Sequence, residues 1–224
     1  MNEKKWREKV FIYGMISAIL SLILTSIAML LYAGGTGVNP DAPSYSFWAN
    51  TITDLGRVRA WSGKDNIGAR IFHNIYIVIM AISLILTGIA LRDFFIEKEK
   101  DLSDFATTCL IIQGALSLLL LLAPQDTFAG LALYALVALF MYLAATIAAY
   151  SYKIAIFHTK EYPNRYGAVF IVLMISSVLY FFMVFIAIGT LGAVYPAAVE
   201  KILFYTTVVC HFFISYGAWK QIKS

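Results

Sequence analysis

Long apolar runs alternate with short polar stretches along this chain. A helix needs about 20 apolar residues to cross the hydrocarbon core of a bilayer. Six runs reach roughly that length, at residues 10–33, 69–92, 105–123, 130–152, 167–190 and 198–219. The pattern therefore predicts an all-α, polytopic membrane protein with six transmembrane helices, which form a single domain over residues 1–224.

The composition also favours a membrane protein. Of the 224 residues, 61% are hydrophobic and only 13% are charged, against about 45–50% and about 25% in soluble domains. The first apolar run is longer than the roughly 7–15 residues of a signal peptide, which predicts a retained first helix. The basic residues do not cluster in one solvated module, so the sequence gives no indication of a nucleic-acid partner.

The lysines and arginines predict the orientation, because they concentrate in the cytoplasmic loops of membrane proteins. With the N-terminus inside, twelve of the 17 fall on the cytoplasmic side. The other five, on the outer side, are Arg57, Arg59, Lys64, Arg70 and Lys201. We therefore expect a protein of the cell membrane with both termini in the cytoplasm.

The one long connection, residues 34–69, is predicted to be extracytoplasmic, and its acidic and basic residues nearly cancel. Apolar residues recur there at helical spacing: Phe47, Trp48, Ile52 and Leu55. Gly56 follows them at the position of a C-terminal cap. The pattern fits a short amphipathic helix in the outer interface, with its tryptophan at the depth of the lipid head groups. The more ordinary interpretation is a lid that packs on the helix bundle.

Three short motifs mark this loop and the helix after it. Residues 47–57 read F-W-A-N-T-I-T-D-L-G-R, residues 61–66 read W-S-G-K-D-N, and residues 71–74 read I-F-H-N. Together with Pro124-Gln125-Asp126 they resemble the family of six-helix bacterial and archaeal membrane proteins catalogued as domain of unknown function 998. Thr53 stands where that family usually has serine, and His73 separates Phe72 from Asn74. The resemblance implies the six-helix fold and directs attention to the outer loop, and it implies no activity.

Polar residues gather at the predicted outer boundary of the bundle. The candidate ligand-binding residues are Asn50, Asp54, Arg57, Arg59, Arg70, Asn74 and Glu200, and Gln125 and Asp126 follow the third helix. Charged groups at such depth tend to pair with one another or to line a wet cavity. Two interpretations stay open: an outward-facing polar pocket, or a latch in which Asp54–Arg57 or Asp126–Arg70 ion pairs hold the loop on the bundle.

Two functions fit these residues. We favour non-catalytic binding of a membrane lipid or of a membrane protein partner. The alternative is an intramembrane enzyme that acts on a lipid at the outer interface. In that enzyme Asp54 or Asp126 would act as acid or base with help from His73, and Arg57 or Arg59 would hold phosphate.

The histidines give no sign of a cofactor site. They occur one to a segment, with no HxxxH or HExxH pair, so the sequence predicts no metal and no cofactor. His211 in the sixth helix and Gln113 in the third fall at similar depth in the bilayer, by the 1.5 Å rise per helical residue. We expect a hydrogen bond between them.

Overall fold

The computed structural model describes residues 3–123, 126, 128–159, 162–189 and 197–223. Six α-helices occur there: α1 (Glu3–Leu31), α2 (Ile67–Arg92), α3 (Lys100–Leu119), α4 (Phe128–His158), α5 (Arg165–Gly189) and α6 (Ala197–Lys223). All six are long and apolar enough to cross a membrane. Within the described ranges there is no strand, only an isolated bridge between Arg59 and Asp65. The predicted all-α fold with six such helices is confirmed.

The helices form a ring. Each packs mainly against the next one in sequence, and α6 closes the ring by packing against α1. Successive helices run in opposite directions, so both termini and the α2–α3 and α4–α5 connections lie at one end, here called the terminal end. The long 32–66 connection lies at the opposite end, here called the loop end.

Ion pairs join neighbouring segments at the terminal end. Arg7 of α1 lies 3.7 Å from Asp93, and Lys223 of α6 lies 2.6 Å from Glu8 of α1. His158 Nδ1 lies 2.7 Å from Glu99 Oε1. These contacts tie both ends of the chain to the bundle.

The terminal half of the ring has a dense apolar core. Its largest fully buried side chains are those of Tyr152, Phe11 and Phe95. Small residues of α4, such as Ala148 and Ala155, are also fully buried, which lets neighbouring helices approach closely. The Tyr152 hydroxyl donates to the Gly88 carbonyl at 3.1 Å and lies 2.8 Å from Thr107 Oγ1.

A chain of polar side chains links α1, α2 and α6 near the middle of the bundle. Ser17 Oγ donates to Ser83 Oγ at 2.7 Å, and Ser83 Oγ lies 2.7 Å from His211 Nε2. The predicted His211–Gln113 hydrogen bond was therefore wrong in its partner. The hydrophobic pattern carries no information about which helix faces which across the ring.

The predicted amphipathic helix of the loop is also absent. Its place is taken by irregular turns and one 3₁₀ turn, Thr53–Gly56. Ile52 and Leu55 are buried, as in a lid that packs on the bundle, whereas Phe47 and Trp48 are exposed. Polar side chains that bind nearby backbone groups compete with helix formation, and the loop has several of them.

Gly56 does not serve as a left-handed helix cap either. The glycines with positive φ are Gly34, Gly35 and Gly63. A Cβ atom at Gly56 would lie 2.9 Å from Nε2 of His73. Close approach to the α2 histidine therefore explains why glycine is present at this position.

Candidate functional site

Asp54 organises the loop through hydrogen bonds to its buried carboxylate. Oδ2 accepts from the Thr51 backbone N–H at 2.9 Å and from Asn50 Nδ2 at 3.2 Å. Oδ1 accepts from the indole Nε1 of Trp61 at 2.8 Å. All the donors belong to the loop itself, so the carboxylate holds the two arms of the loop together.

Asn50 connects this arrangement to α6. Its side chain accepts from the Ser46 N–H at 2.8 Å and donates to the Gly35 carbonyl at 2.9 Å. Its backbone carbonyl accepts from Nζ of Lys201. Both Asn50 and Lys201 are buried, so this bond fastens the loop to the first turn of α6.

Asp126 fastens the loop on the other side. Its carboxylate accepts from the backbone N–H groups of Val58, at 3.0 Å, and Arg59, at 2.6 Å. Arg57 lies over the Trp61 ring at 4.0 Å and donates to the Arg59 carbonyl at 3.1 Å. Gln125, also predicted at this boundary, lies outside the described residues.

The latch interpretation named the wrong bonds. Asp54 and Asp126 take backbone, amide and indole donors in place of the predicted partners Arg57 and Arg70. A carboxylate accepts up to four hydrogen bonds, and closely spaced loop N–H groups supply them without bringing a second charge into a buried site. We call the loop with these contacts the latch.

Two tyrosines complete the latch. Tyr32 accepts a hydrogen bond from the Trp61 N–H at 3.2 Å, and the Tyr45 hydroxyl donates to the Thr51 carbonyl at 3.0 Å. Burial raises the pKa of Tyr32 to about 12 and raises the pKa of Tyr45 as well. Both hydroxyls therefore keep their protons at physiological pH.

Arg70, His73 and Asn74 lie beside the latch, on the first turns of α2. With Gly56 and Tyr134 they line a small pocket of about 10 Å³, roughly the space that one water molecule requires. His73 is buried and its Nδ1 atom has no hydrogen-bond partner within the described part of the chain. A single water in this pocket would give Nδ1 a partner.

A larger cavity lies inside the ring, directly beneath the latch. Its volume is about 100 Å³, enough for several water molecules at about 10–15 Å³ each. The wall is apolar and aromatic with a few polar groups: Ile52, Tyr76, Ile77, Met80, Leu84, Gln113, Ser117, Leu120, Tyr134, Met141, Tyr142, Glu200, Phe204, Thr207 and Val208. We call this space the ring cavity.

Glu200 lies where the ring cavity meets the latch. Its Oε1 atom accepts from the Thr53 backbone N–H at 3.0 Å and from the Thr53 hydroxyl. The Thr53 Oγ1 atom also lies 2.8 Å from the Tyr134 hydroxyl. Because Thr53 donates its proton to Glu200, the Tyr134 hydroxyl is the donor to Thr53. Loop, α4 and α6 thus meet at one carboxylate.

The predicted site residues therefore divide into three groups. Asn50, Asp54, Arg57, Arg59 and Asp126 are engaged in the latch. Arg70, His73 and Asn74 line the small pocket, and Glu200 lines the ring cavity. The small pocket and the ring cavity share three lining residues, Ile77, Leu120 and Tyr134.

Several residues of the ring cavity were missed from the sequence, chiefly Tyr76, Tyr134, Tyr142 and Phe204. A usable signal existed, because Glu200, Phe204, Thr207 and Val208 fall at i, i+4, i+7 and i+8, on one helical face. Tyr134, Met141 and Tyr142 show the same spacing on α4.

Comparisons with known proteins add nothing to this geometry: no protein family model, no curated protein and no solved structure matches the chain. The resemblance to the six-helix family stays a prediction.

Proposed function

We propose that this protein is a multi-pass protein of the cell membrane that binds the polar head of a membrane lipid in the ring cavity. The excess of lysine and arginine at the terminal end supports a cytoplasmic location for both termini. The ring cavity then lies in the outer half of the bilayer, and the latch covers it from outside.

The observation that carries this proposal is the position of the Glu200 carboxylate in a mainly apolar and aromatic wall. Ligand sites are typically apolar cavities with a small number of placed polar groups. An ionisable group inside a membrane protein is costly and tends to mark a functional site. A lipid head group entering between helices would meet this carboxylate below the latch.

The geometry favours binding over catalysis. A general acid or base needs a carboxylate within hydrogen-bond reach of the substrate. Asp54 and Asp126 have their oxygens directed at loop donors. The two carboxylates proposed for the enzyme therefore stabilise the loop in this arrangement.

Lipid binding is tested by filling the ring cavity. In a Leu84→Trp variant the larger side chain occupies the ring cavity, and we expect mass spectrometry of the purified protein to show loss of the co-purified lipid. The matched control is Ile82→Trp on the same helix, where the native side chain is exposed and the lipid should be retained. Equal lipid content in both variants and the wild type would contradict the proposal.

Orientation is tested separately by labelling. The native cysteines, Cys109 and Cys210, are buried, so a Lys64→Cys variant offers a single accessible thiol in the loop. We expect a membrane-impermeant maleimide to label intact cells at this position. Labelling only after the cells are opened would place the latch in the cytoplasm and refute the proposed topology.

A further inference from the structure

The wall of the ring cavity carries an acidic side chain and no basic one among the described residues. Glu200 is the only acidic or basic side chain among the described residues that line it. The neighbouring Lys201 is directed away, since Nζ donates to the Asn50 and Ala197 carbonyls and lies over the rings of Tyr45 and Phe47. A ligand in the ring cavity therefore meets a carboxylate with no basic group in the same wall.

The aromatic content of the wall is also high. Four rings line the ring cavity, those of Tyr76, Tyr134, Tyr142 and Phe204. Tyr76 and Phe204 meet edge to face, with ring centroids 5.6 Å apart at an angle of 76°. The face of an aromatic ring attracts a cation, so a wall rich in rings suits a positively charged ligand.

The wall also offers hydrogen-bond groups that the protein does not use. The Gln113 side chain is buried, and its amide makes no hydrogen bond within the described ranges. The Tyr76 and Tyr142 hydroxyls likewise have no protein partner there, and Glu200 is bound only through Oε1. Buried polar groups in proteins usually have partners, so the buried Gln113 and Glu200 in particular are suited to a polar ligand.

We infer that the ring cavity recognises an ammonium group, primary or quaternary, through the Glu200 carboxylate and the surrounding aromatic rings. This inference rests on the proposed function and specifies the class of head group. The carboxylate compensates the positive charge, the ring faces surround its methyl or methylene groups, and Gln113 accepts a hydrogen bond where the nitrogen carries a proton. Anionic head groups are disfavoured by repulsion from Glu200. The ammonium group can come from a lipid head group or from a free amine.

The test compares lipids that differ only in their head group. The full-length protein in detergent is titrated with phosphatidylethanolamine, phosphatidylcholine and phosphatidylglycerol of identical acyl chains, and binding is followed by native mass spectrometry. We expect at least one of the two ammonium lipids to bind about tenfold more tightly than phosphatidylglycerol. A Glu200→Gln variant keeps an acceptor for Thr53 and removes the charge, so this preference should fall to about twofold or less. An equal or stronger affinity for phosphatidylglycerol in the wild type overturns the inference.

A second pair of variants keeps the test decisive if Glu200→Gln does not fold. Tyr142→Leu removes one ring from the wall and should weaken the ammonium preference, whereas Tyr142→Phe keeps the ring and should preserve it. A preference that survives Tyr142→Leu unchanged overturns the inference where Glu200→Gln does not fold, and a preference that survives Glu200→Gln overturns it where that variant folds. Lipid binding without any head-group preference overturns it too, but leaves the proposed lipid-binding function intact.

The source of the ammonium group is separated by a soluble probe. Tetramethylammonium chloride is compared with sodium chloride at equal ionic strength, and the unfolding midpoint is measured. A rise in the unfolding midpoint that is absent in Glu200→Gln supports recognition of a free ammonium compound. If no lipid binds in that case, only the lipid-binding function fails. No stabilisation by the probe together with no lipid binding overturns both.

Discussion

The two ends of the helix ring are built in different ways. The terminal half packs Tyr152, Phe11 and Phe95 among alanines, and exposed or half-buried ion pairs join its segments. The loop half encloses the ring cavity and covers it with a polar loop that is held by many hydrogen bonds, several of them buried. Close apolar packing stabilises the first half, and a hydrogen-bonded loop stabilises the second.

This difference separates the stability of the bundle from the binding that we propose for it. A filled interior leaves no room for a ligand, because protein cores pack as densely as organic crystals. A bundle that holds a cavity in one half needs compensating stability elsewhere. The terminal half supplies it through the apolar core, and the latch holds the helix ends around the ring cavity in register.

The largest expected change in the free energy of unfolding comes from a comparison of two tyrosines of α4. Tyr152→Ala removes a fully buried ring and its hydrogen bond to Gly88, and we expect a loss of about 3–5 kcal/mol in the free energy of unfolding. Tyr142→Ala removes a ring that borders the ring cavity and contacts Tyr180. It should cost about 1–2 kcal/mol, because fewer packing contacts are lost.

Reversible unfolding of the purified protein in mixed micelles, followed by circular dichroism, measures both variants of this pair. Tyr152→Phe is a control that retains the ring. Equal losses for Tyr152→Ala and Tyr142→Ala would show that the two halves are packed alike and would remove the basis of the comparison.

The second-largest loss of stability is expected from a substitution in the latch. Asp54→Ala leaves the Trp61 indole, the Thr51 N–H and the Asn50 amide without their buried acceptor, and we expect a loss of about 2–4 kcal/mol. The Trp61 side chain should also become more accessible to a soluble fluorescence quencher. Asp41→Ala is the matched control, because Asp41 is exposed in the same loop and its removal should be nearly neutral. Unchanged quenching in Asp54→Ala would show that the carboxylate does not organise the loop.

The sequence allowed prediction of the helices far better than of the latch. Six apolar runs of membrane-spanning length leave little choice of secondary structure, because a lipid-exposed backbone must satisfy its own hydrogen bonds. The helix ends differ from the prediction mainly where charged residues continue a helix past its apolar run, as at Glu3–Lys9 of α1. Hydropathy indicates which residues lie in lipid, but it does not indicate the residue at which a helix ends.

The site was predicted only in part, for a physical reason. Asp54, Asp126 and Glu200 were recognised as buried or boundary charges, but their partners are backbone N–H groups, an indole and a threonine. Backbone donors are present at every residue and leave no sequence signal. The ring order of the helices, which brings the aromatic faces of α2, α4 and α6 around one cavity, has no signal in a single sequence either.

A smaller effect is expected where the loop touches α2. Gly56→Ala places a Cβ atom 2.9 Å from His73 Nε2, and we expect a loss of about 1–3 kcal/mol through displacement of the ring or the loop. Gly37→Ala is the control, since its Cβ would make only ordinary contacts with Trp61, the nearest at 3.6 Å. In a His73→Ala background the penalty for Gly56→Ala should largely disappear. A penalty that persists there would place the strain in the backbone of the turn.

The smallest effect belongs to the ion pairs of the terminal end. Lys223→Ala removes the pair with Glu8, in which about half of the lysine side chain is exposed, and exposed pairs contribute little because water and salt screen them. We expect no measurable change in the unfolding midpoint, and any change that does occur should vanish in high salt. A clear, salt-insensitive destabilisation would show that the terminal end, like the loop end, depends on polar contacts. The contrast between a packed half and a hydrogen-bonded half would then no longer hold.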